Sequence, residues 1–419
     1  MDEIRAHQLT ALRELVEVSH RSPYYRGVLE GLGKPAWRFE LEDLKSLPFL
    51  TKQVLSEQGE RLRIAGARGV YENHSGGSTG IPVRFWQDWR YQVHMSAATR
   101  RSNELAGAFP GARVAKLWGA PQDRRQIEGP AGRARLWLLN MRYCDSFDMG
   151  PRRMEQYHRS MQEFQPDLIQ AYASSIWLLA RFLKARGLRP SYPRVSIITA
   201  AEKLHAHMRG DIEEVFQAPV FDRYGSREVS AMAAECDAHN GLHIQMPGYI
   251  VETLDPRTLA PVEDQPGEIV ITVLNNHAMP FLRYRIGDMG VLTRTRCACG
   301  RSFERLLEIS GRTSDNFLMR DGRIVHGEYF THVFYGRQGI AQFQFEQHSL
   351  DDFTLRIVPG ARYSPDTGRA IEREVREFIG EGPRLRLEVR EQIPVAASGK
   401  YRFTISHVKM NELVGGERG

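Results

Sequence analysis

The sequence predicts an α/β protein with a large N-terminal α/β domain over residues 1–311 and a small α+β C-terminal domain over residues 312–419. Three observations support this prediction. The length of 419 residues is ample for two domains, since an ordinary domain takes about 100–200 residues. Between residues 112 and 200, apolar stretches of strand length alternate with helical periodicity, which favours parallel strands joined by right-handed crossovers. Beyond Gly241 short β segments dominate, and a charged helical stretch follows them.

The individual elements follow from periodicity and turn residues. The first hundred residues are predicted to be helical, with apolar positions at Leu9, Leu12 and Leu15 and a further helix after Trp89. The large domain is then predicted to contain strands at 113–118, 168–172, 195–199, 243–254 and 267–273, and helices at 154–164 and 176–186. The small domain is predicted to contain a helix at 367–379 and a last strand at 384–390.

Composition narrows the classes of function. The net charge of +6, from 57 Lys and Arg against 51 Asp and Glu, suits a polyanionic ligand such as a nucleotide. The chain lacks the basic tract expected of a nucleic-acid binder. The four arginines Arg124, Arg125, Arg133 and Arg135 lie in a stretch containing Gly and Pro, which predicts a solvated loop. We therefore expect no nucleic-acid partner.

The N-terminus and the cysteine count indicate a compartment. Acidic residues follow Met1 where a secretory signal would be basic, and no apolar run reaches the roughly 20 residues of a membrane span. Four cysteines are too few for a disulfide framework in a chain of this length. We expect a cytoplasmic protein without a membrane partner, whose cysteines are thiols or metal ligands.

A Gly- and Ser-rich segment at residues 75–82 is the most informative motif. Glycines allow backbone N–H groups to turn towards an anion, and Ser and Thr hydroxyls add donors. The segment lacks the Lys-Ser/Thr ending of a P-loop and differs from the kinase glycine loop. A flexible turn between strands is the alternative interpretation. The residues predicted to contact phosphates are Ser75, Gly76, Gly77, Ser78, Thr79 and Gly80.

This segment resembles the phosphate-binding loop of the adenylate-forming superfamily, which contains acyl-CoA ligases, adenylation domains of synthetases and luciferases. Five further segments resemble later motifs of that superfamily, in its order. They are Ala200–Lys203 (the adenine-side loop), Asp222–Glu228 (Tyr-Gly-x-Thr-Glu), Tyr284–Asp288 (Tyr-Arg-Thr-Gly-Asp), Gly311–Asp315 (the hinge) and Ser398–Lys400 (the lysine near the C-terminus). Chain length, the helical N-terminus and Cys297–Gly300 resemble the branch of phenylacetate-CoA ligase and related capsule-biosynthesis proteins.

The resemblance implies a large adenylation domain followed by a small mobile domain that carries a catalytic lysine. It further implies ATP-dependent activation of a carboxylic acid as acyl-AMP, release of pyrophosphate and transfer of the acyl group to CoA. Transfer to an amine by an amide synthetase is the alternative. A nucleotide-binding protein without catalysis is a third hypothesis, which the presence of Lys400, Glu228 and Asp288 disfavours. A homodimer is left open.

Residue roles are implied by the same resemblance. Lys400 and Glu228 would be catalytic, with Glu228 binding Mg²⁺, a hard ion that suits a carboxylate. Asp288 would accept hydrogen bonds from the ribose, Arg312 would meet the ribose or a phosphate, and Tyr224 would flank adenine. The implied nucleotide site also includes Ala201, Glu202, Lys203, Asp222, Arg223, Gly225 and Ser226. Taken singly, Asp288 is better explained by a turn, Tyr224 by the core and Glu228 by a solvated surface, and only the ordered series of motifs favours the functional roles.

Two positions depart from the superfamily pattern. Arg227 stands where Thr is usual, which substitutes a cation for a hydroxyl beside the α-phosphate. Ser314 stands where the hinge residue is commonly Asp or Lys, so the hinge is expected to have different energetics.

The cysteines and an aromatic segment suggest two further sites. Cys297 and Cys299 are spaced to face one metal, and Cys236 with either His239 or His243 would complete a closed, structural zinc site. Buried thiols and a core histidine are the alternative. By resemblance, the acid pocket is formed by Trp118, Gly119, Tyr172, Ala173 and Ser174. These side chains suit an aromatic or modest-sized acid, although they are also compatible with a core.

Overall fold

The structure is a computed structural model that describes residues 1–74, 83–118, 129–146, 149, 151–312, 316–320, 324–326, 339–393 and 402–408. The described helices are α1 (Asp2–Ser19), α2 (Pro23–Leu32), α3 (Lys52–Leu62), α4 (Trp89–Leu105), α5 (Gly129–Leu138), α6 (Pro151–Phe164), α7 (Ala173–Ala185), α8 (Ala206–Phe216) and α9 (Pro365–Ile379), with 3-10 turns at Ala36–Arg38 and Leu41–Ser46. None of the helices in these ranges is both long and apolar enough to cross a membrane.

The strands alternate with these helices in the middle of the chain and dominate after it. They are β1 (Tyr71–His74), β2 (Arg84–Gln87), β3 (Val114–Trp118), β4 (Met141–Asp145), β5 (Leu168–Tyr172), β6 (Ser196–Ala200), β7 (Val220–Ser226), β8 (Ser230–Glu235), β9 (Leu242–Ile244), β10 (Tyr249–Leu254), β11 (Pro266–Val273), β12 (Phe281–Thr293), β13 (Arg305–Arg312), β14 (Asn316–Leu318), β15 (Ile324–His326), β16 (Ile340–Ser349), β17 (Asp352–Pro359), β18 (Arg384–Val389) and β19 (Thr404–Ser406).

The described residues form two compact units. One contains Met1–Ile286 and Gly290–Ile309, and the other contains Gly287–Met289 and the described residues from Ser310 onward. In the first unit, eleven of the described strands form one mixed sheet in the order β10-β11-β12-β13-β9-β8-β7-β6-β5-β3-β4. The strands β4, β3, β5, β6 and β7 are parallel neighbours, whereas β7, β8, β9 and β13 pair antiparallel.

The parallel half of the sheet confirms the alternating pattern, because its strands β5 and β6 are buried on both faces. All five residues of both Leu168–Tyr172 and Ser196–Ala200 are buried, as expected when helices cover the two sides. The N-terminal helices and strands β8 to β12 share a second apolar core, which includes Leu12, Leu15 and Val16 of α1. The first hundred residues are thus mainly helical, but the hairpin of β1 and β2 interrupts them.

Side-chain caps explain where several helices begin. Asp88 accepts a hydrogen bond from the Tyr91 N–H at 2.9 Å and begins α4, directly after β2. Ser364 and Thr367 form a reciprocal capping box that begins α9, with Pro365 in its first turn. Both helices therefore begin at residues that satisfy their free N–H groups.

The second unit contains a four-stranded sheet in the order β18-β17-β16-β19. Its apolar core includes Phe345, Phe353 and Leu355 from the strands and Ile371 and Val375 from α9. The predicted fold class, a large α/β domain followed by a small α+β one, is confirmed. The predicted boundary between residues 311 and 312 stays a prediction.

Two strand predictions are wrong. The segment 243–254 is not one strand, because Pro247 and Gly248 separate β9 from β10, and Pro lacks the N–H that a continuous ladder requires. The segment 384–390 is not the last strand, since β19 follows it and pairs parallel with β16. The three residues of β19 are too short to produce a periodic signal.

Candidate active site

Four neighbouring parallel strands present predicted site residues at their carboxyl ends. Trp118 ends β3, Tyr172 ends β5, Ala200 ends β6 and Ser226 ends β7. The register pairs Tyr172 with Ala200, and Ala200 with Arg223. The carboxyl edge of a parallel sheet is where open α/β folds bind their ligands. The sheet therefore brings the predicted acid-pocket residues beside the predicted nucleotide-binding loops.

The predicted acid pocket begins with two aromatic rings. The Trp118 and Tyr172 ring centroids are 4.3 Å apart, and Tyr172 is buried. Ala173 and Ser174 form the first turn of α7, and the Ser174 N–H donates to a Glu202 carboxylate oxygen at 2.8 Å. A carboxylate at a helix N-terminus is favoured by the N–H groups exposed there. Glu202 thus fixes the loop after β6 against α7, while Gly119 lies outside the described residues.

The loop after β6 also contacts the antiparallel half of the sheet. Ala201 has a φ of +70°, a left-handed conformation that turns the chain sharply at the end of β6. The Lys203 ammonium lies 3.6 Å from the Glu308 carboxylate of β13.

Strand β12, which contains Asp288, packs closely against β13. A Cβ added at Gly290 of β12 would lie only 2.9 Å from the Glu308 backbone oxygen. Gly290 is two residues beyond Asp288, which lies inside β12 and not in a turn.

The end of β7 is packed so closely that it requires glycine. A β-bulge separates Tyr224 from Gly225 in the pairing with β8. A Cβ at Gly225 would lie 1.7 Å from the Ser230 carbonyl oxygen, a distance that no side chain tolerates. Tyr224 is half-buried and packs against the core of the first unit. Glycine at 225 is therefore a steric requirement of the turn that carries Glu228.

Partly buried charged groups follow along β7 and its neighbours. Asp222 accepts hydrogen bonds from the Thr199 hydroxyl and the Arg223 N–H, at 3.1 and 2.9 Å. Its own N–H donates to Glu235 at 2.8 Å, and the Arg209 guanidinium forms two bonds to the Glu235 carboxylate, at 2.9 and 2.8 Å. Burial, with repulsion from Glu235, raises the pKa of Asp222 to about 6.

Arg223 offers an unused donor. One of its guanidinium nitrogens is buried and has no hydrogen-bond partner among the residues that the structure describes. Burial lowers the pKa of Arg223 to about 10, although Asp222 counteracts the shift. A buried donor without a partner costs about 1–3 kcal/mol. An anionic ligand group would satisfy it, which fits the predicted nucleotide-binding role.

Gln87, the last residue of β2, connects the paired strands β1 and β2 to the Glu228 turn. Its side chain is 1% exposed and accepts a hydrogen bond from the Asn73 amide at 3.1 Å. Its amide nitrogen donates to the backbone oxygens of Arg227 and Glu228, at 3.2 and 3.4 Å. The Tyr91 hydroxyl donates to the same Glu228 oxygen at 3.2 Å. Glu228 itself is buried, and its N–H donates to Ser226 Oγ at 3.2 Å.

Sequence reasoning missed Gln87, Tyr91, Arg209 and Glu235. A polar residue that follows Phe85 and Trp86 in a strand was the only available signal for Gln87. Several predicted residues lie outside the described parts of the chain, namely Ser75 to Gly80, residues 313–315, Lys400, the arginines at 124 and 125, and the side chain of Arg312.

The predicted zinc ligands lie together. Cys236, His243, Cys297 and Cys299 each offer a donor atom within 4.8 Å of the others. The Cys236 and Cys297 sulfurs are 3.9 Å apart, and Cys299 Sγ is 3.3 Å from His243 Nε2. Tetrahedral zinc with ordinary bond lengths separates two sulfurs by about 3.8 Å and a sulfur from a nitrogen by about 3.6 Å. The donor set therefore fits zinc in both chemistry and spacing.

The electrostatics of His243 agree with ligation. Burial, together with the nearby Arg305 and Arg301, lowers the pKa of His243 to about 4, so the imidazole is neutral and its nitrogen can bind a metal. His239 lies elsewhere, with Nδ1 3.3 Å from Glu235 and its ring 4.8 Å from that of Phe221. Of the two candidate histidines, His243 is the one in the cluster.

Comparisons with known proteins agree with this geometry. Residues 317–407 match the family model of the CapK C-terminal domain. The phenylacetate-coenzyme A ligase of Thermus thermophilus is 29% identical over 328 residues, which are 76% of this chain and 72% of the relative. Protein CapK of Staphylococcus aureus is 21% identical over 401 residues, 94% of this chain and 86% of the relative.

Solved structures agree on the fold. A 2-hydroxyisobutyryl-CoA ligase in the postadenylation state, in complex with R3-HIB-AMP, matches with a TM-score of 0.75 and 20% identity over 97% of this chain and 90% of that chain. The same ligase with 2-HIB-AMP and CoA, in the thioesterification state, matches with a TM-score of 0.65 and 20% identity over 99% and 92%. This chain is an AMP-forming, carboxylate–CoA ligase-like enzyme that is similar in sequence to the phenylacetate-CoA ligases and to CapK.

Proposed function

We propose that the chain uses ATP and Mg²⁺ to convert a small aromatic carboxylic acid into its acyl-AMP and then transfers the acyl group to CoA. The observation that carries the proposal is that four neighbouring parallel strands end at one edge of the sheet. Trp118 and Tyr172, the loop that contains Glu202, and Arg223 belong to these successive strand ends. An apolar wall next to anion-binding groups suits a substrate whose carboxylate must meet a nucleotide phosphate.

The chemistry requires two anions to approach each other. A carboxylate oxygen bonds to the α-phosphorus of ATP, and the bond from that phosphorus to the bridging oxygen breaks as pyrophosphate leaves. Charge neutralisation and alignment therefore provide most of the catalysis. In our assignment, Arg223 and the Gly/Ser-rich loop contact phosphates and Asp288 contacts the ribose. Lys400 bridges the carboxylate and the α-phosphate. Mg²⁺ bound by Glu228 would neutralise phosphate charge.

The second half-reaction releases AMP. The CoA thiolate attacks the acyl carbon, a thioester forms, and the bond from that carbon to the AMP oxygen breaks. An amine would attack the same carbon and form an amide. We assign CoA as the acceptor because the sequence relatives that cover 76% of this chain include four phenylacetate-coenzyme A ligases.

We further propose that Cys236, His243, Cys297 and Cys299 bind one structural zinc ion. Four protein ligands leave no open position for substrate, so the metal would stabilise the fold without joining the reaction. Cys236 follows β8, His243 lies in β9, and Cys297 and Cys299 lie between β12 and β13. The ion would therefore link segments of the antiparallel half of the sheet.

The experiment that tests the proposed function is a screen of acid-dependent pyrophosphate exchange into ATP, across aromatic and aliphatic carboxylic acids. Positive acids are then incubated with ATP and either CoA or amines, and products are identified by mass spectrometry. We expect exchange with a small aromatic acid and a CoA thioester as product. If exchange occurs but the only product is an amide, the acceptor is an amine and not CoA. If none of the acids supports exchange, adenylation is refuted.

A further inference from the structure

A second group of potential metal ligands lies in the small sheet and shares no residue with the cysteine cluster. Glu346, His348 and His407 each offer a donor atom within 4.8 Å of the others. Glu346 is half-buried with a side chain 13% exposed, whereas the His407 side chain is 55% exposed. The cluster is thus open to solvent on one side and supported on the other.

Strand geometry places the three side chains together. Glu346 and His348 are two residues apart on β16 and point to the same face, while Gln347 between them points into the protein and is fully buried. The parallel register pairs Gln347 with Ser406, and the His407 N–H donates to the Gln347 carbonyl at 3.0 Å. The chain leaving β19 therefore brings His407 beside the two ligands on β16.

We propose that Glu346, His348 and His407 bind a zinc ion, in a site separate from the cysteine cluster. His407 Nε2 lies 2.7 Å from Glu346 Oε1, and His348 Nδ1 lies 3.9 Å from the same oxygen. Tetrahedral zinc separates a ligand nitrogen from a ligand oxygen by about 3.4 Å, a value between these two distances. Binding needs only side-chain adjustments of less than about one ångström, with the metal replacing the direct contact between His407 and Glu346.

Surrounding contacts orient two of the ligands. His348 Nε2 lies 2.9 Å from the Thr354 hydroxyl, which leaves Nδ1 to face the metal. The Arg356 guanidinium lies 2.5 Å from Glu346 Oε2 and leaves Oε1 for the metal. Such outer contacts typically fix the ring orientation and the coordinating atom of metal ligands. Imidazole and carboxylate donors together suit zinc, and three protein ligands leave a position for water or another ligand.

The metal would fasten an edge strand. β19 has three residues and lies at the end of the sheet order, paired with β16 alone among the described strands. A bond from His407 through the metal to Glu346 and His348 would hold β19 on β16. Exchange of the backbone amides of Thr404–Ser406 with solvent should therefore slow when zinc binds.

The test is a titration of the full-length protein with Zn²⁺ by calorimetry, after dialysis that leaves tightly bound zinc in place. We expect one further zinc ion to bind wild type and not His407→Ala or His348→Ala. Thr354→Val should bind it about tenfold more weakly, as expected when an outer contact is lost. His20→Gln, a histidine outside both clusters, is the matched control and should bind as wild type does.

Hydrogen exchange provides a second readout. Zn²⁺ should protect Thr404–Ser406 in wild type and not in His407→Ala, and circular dichroism should confirm that both proteins are folded. The proposal is overturned if wild type binds no additional zinc, or if His407→Ala and His348→Ala bind it with unchanged affinity and protection. Neither result depends on acyl-AMP formation, so failure here leaves the proposed function untouched.

Discussion

The hydrogen bonds of Gln87 predict that a residue outside the family motifs controls the position of Glu228. Replacing Gln87 with Leu removes the donor to the Arg227 and Glu228 carbonyls and the acceptor for Asn73. The Glu228 carbonyl keeps the Tyr91 hydroxyl, whereas the Arg227 carbonyl loses the Gln87 donor. The loss of one such hydrogen bond costs about 0.5–1.5 kcal/mol, which a two-unit protein of 419 residues should survive.

Activity should suffer more than stability. The Arg227–Glu228 turn would lose its connection to β2, and a displacement of about 1 Å at a catalytic site can reduce the rate about 100-fold. We expect Gln87→Leu to remain folded, by urea denaturation, while its acid-dependent pyrophosphate exchange falls by about 10- to 100-fold. Gln87→Glu retains an acceptor for Asn73 but loses the donor when ionised, so it should show the same loss.

Gln92→Leu is the matched control, because Gln92 is exposed on α4 in the same part of the chain. It should exchange pyrophosphate at the wild-type rate. The reasoning is refuted if Gln87→Leu loses exchange only in proportion to its unfolded fraction, or retains full exchange while folded.

Four further predictions follow from the site. Asp288→Ala should raise the KM for ATP more than that for the acid, at about 1.5–3 kcal/mol per lost bond to ribose, and equal effects would assign it a structural role. Elemental analysis should find about one zinc ion fewer in Cys297→Ser than in wild type, and this variant should unfold at a lower temperature. His239→Gln should retain the metal. Wild-type protein without zinc would contradict both expectations. Burial and repulsion from Glu235 raise the pKa of Asp222 from its usual 3.8 to about 6. Ionisation of Asp222 therefore lowers the free energy of unfolding; this loss is complete above about pH 6 and absent below about pH 4. Asp222→Asn should therefore gain unfolding free energy relative to wild type as the pH rises through that window, and a constant difference in urea titrations would be inconsistent with the raised pKa. Lys400→Ala should cut pyrophosphate exchange about 10²- to 10³-fold yet transfer the acyl group from synthetic acyl-AMP at near the wild-type rate, and equal losses would exclude a role confined to adenylation.

Much of the fold could be predicted because its signals are local. The strand Leu168–Tyr172 matches its predicted bounds, since a fully buried parallel strand is a continuous apolar run. The break at Pro247 and Gly248 was missed because apolar residues lie on both sides of it. The pairing of β19 with β16 joins segments about 60 residues apart, and no local pattern encodes it.

In the candidate site, too, residues in local motifs could be predicted from the sequence, whereas residues whose role depends on distant contacts could not. Motif residues such as Glu202 and Arg223 are predicted to be site residues from their order along the chain, and the sheet brings them to one edge. Gln87 was not found, because its role arises from contacts with residues about 140 positions away. His243 was separated from His239 only by the fold, since both are close in sequence to Cys236.

The central claim is that the chain joins a carboxylate oxygen to the α-phosphorus of ATP. The most direct measurement uses an acid that supports exchange, labelled with ¹⁸O in its carboxylate, together with ATP, Mg²⁺ and the acceptor. Mass spectrometry of the nucleotide product should find AMP that carries one ¹⁸O atom from the acid. Unlabelled AMP, or ADP and phosphate in its place, would contradict acyl-AMP formation.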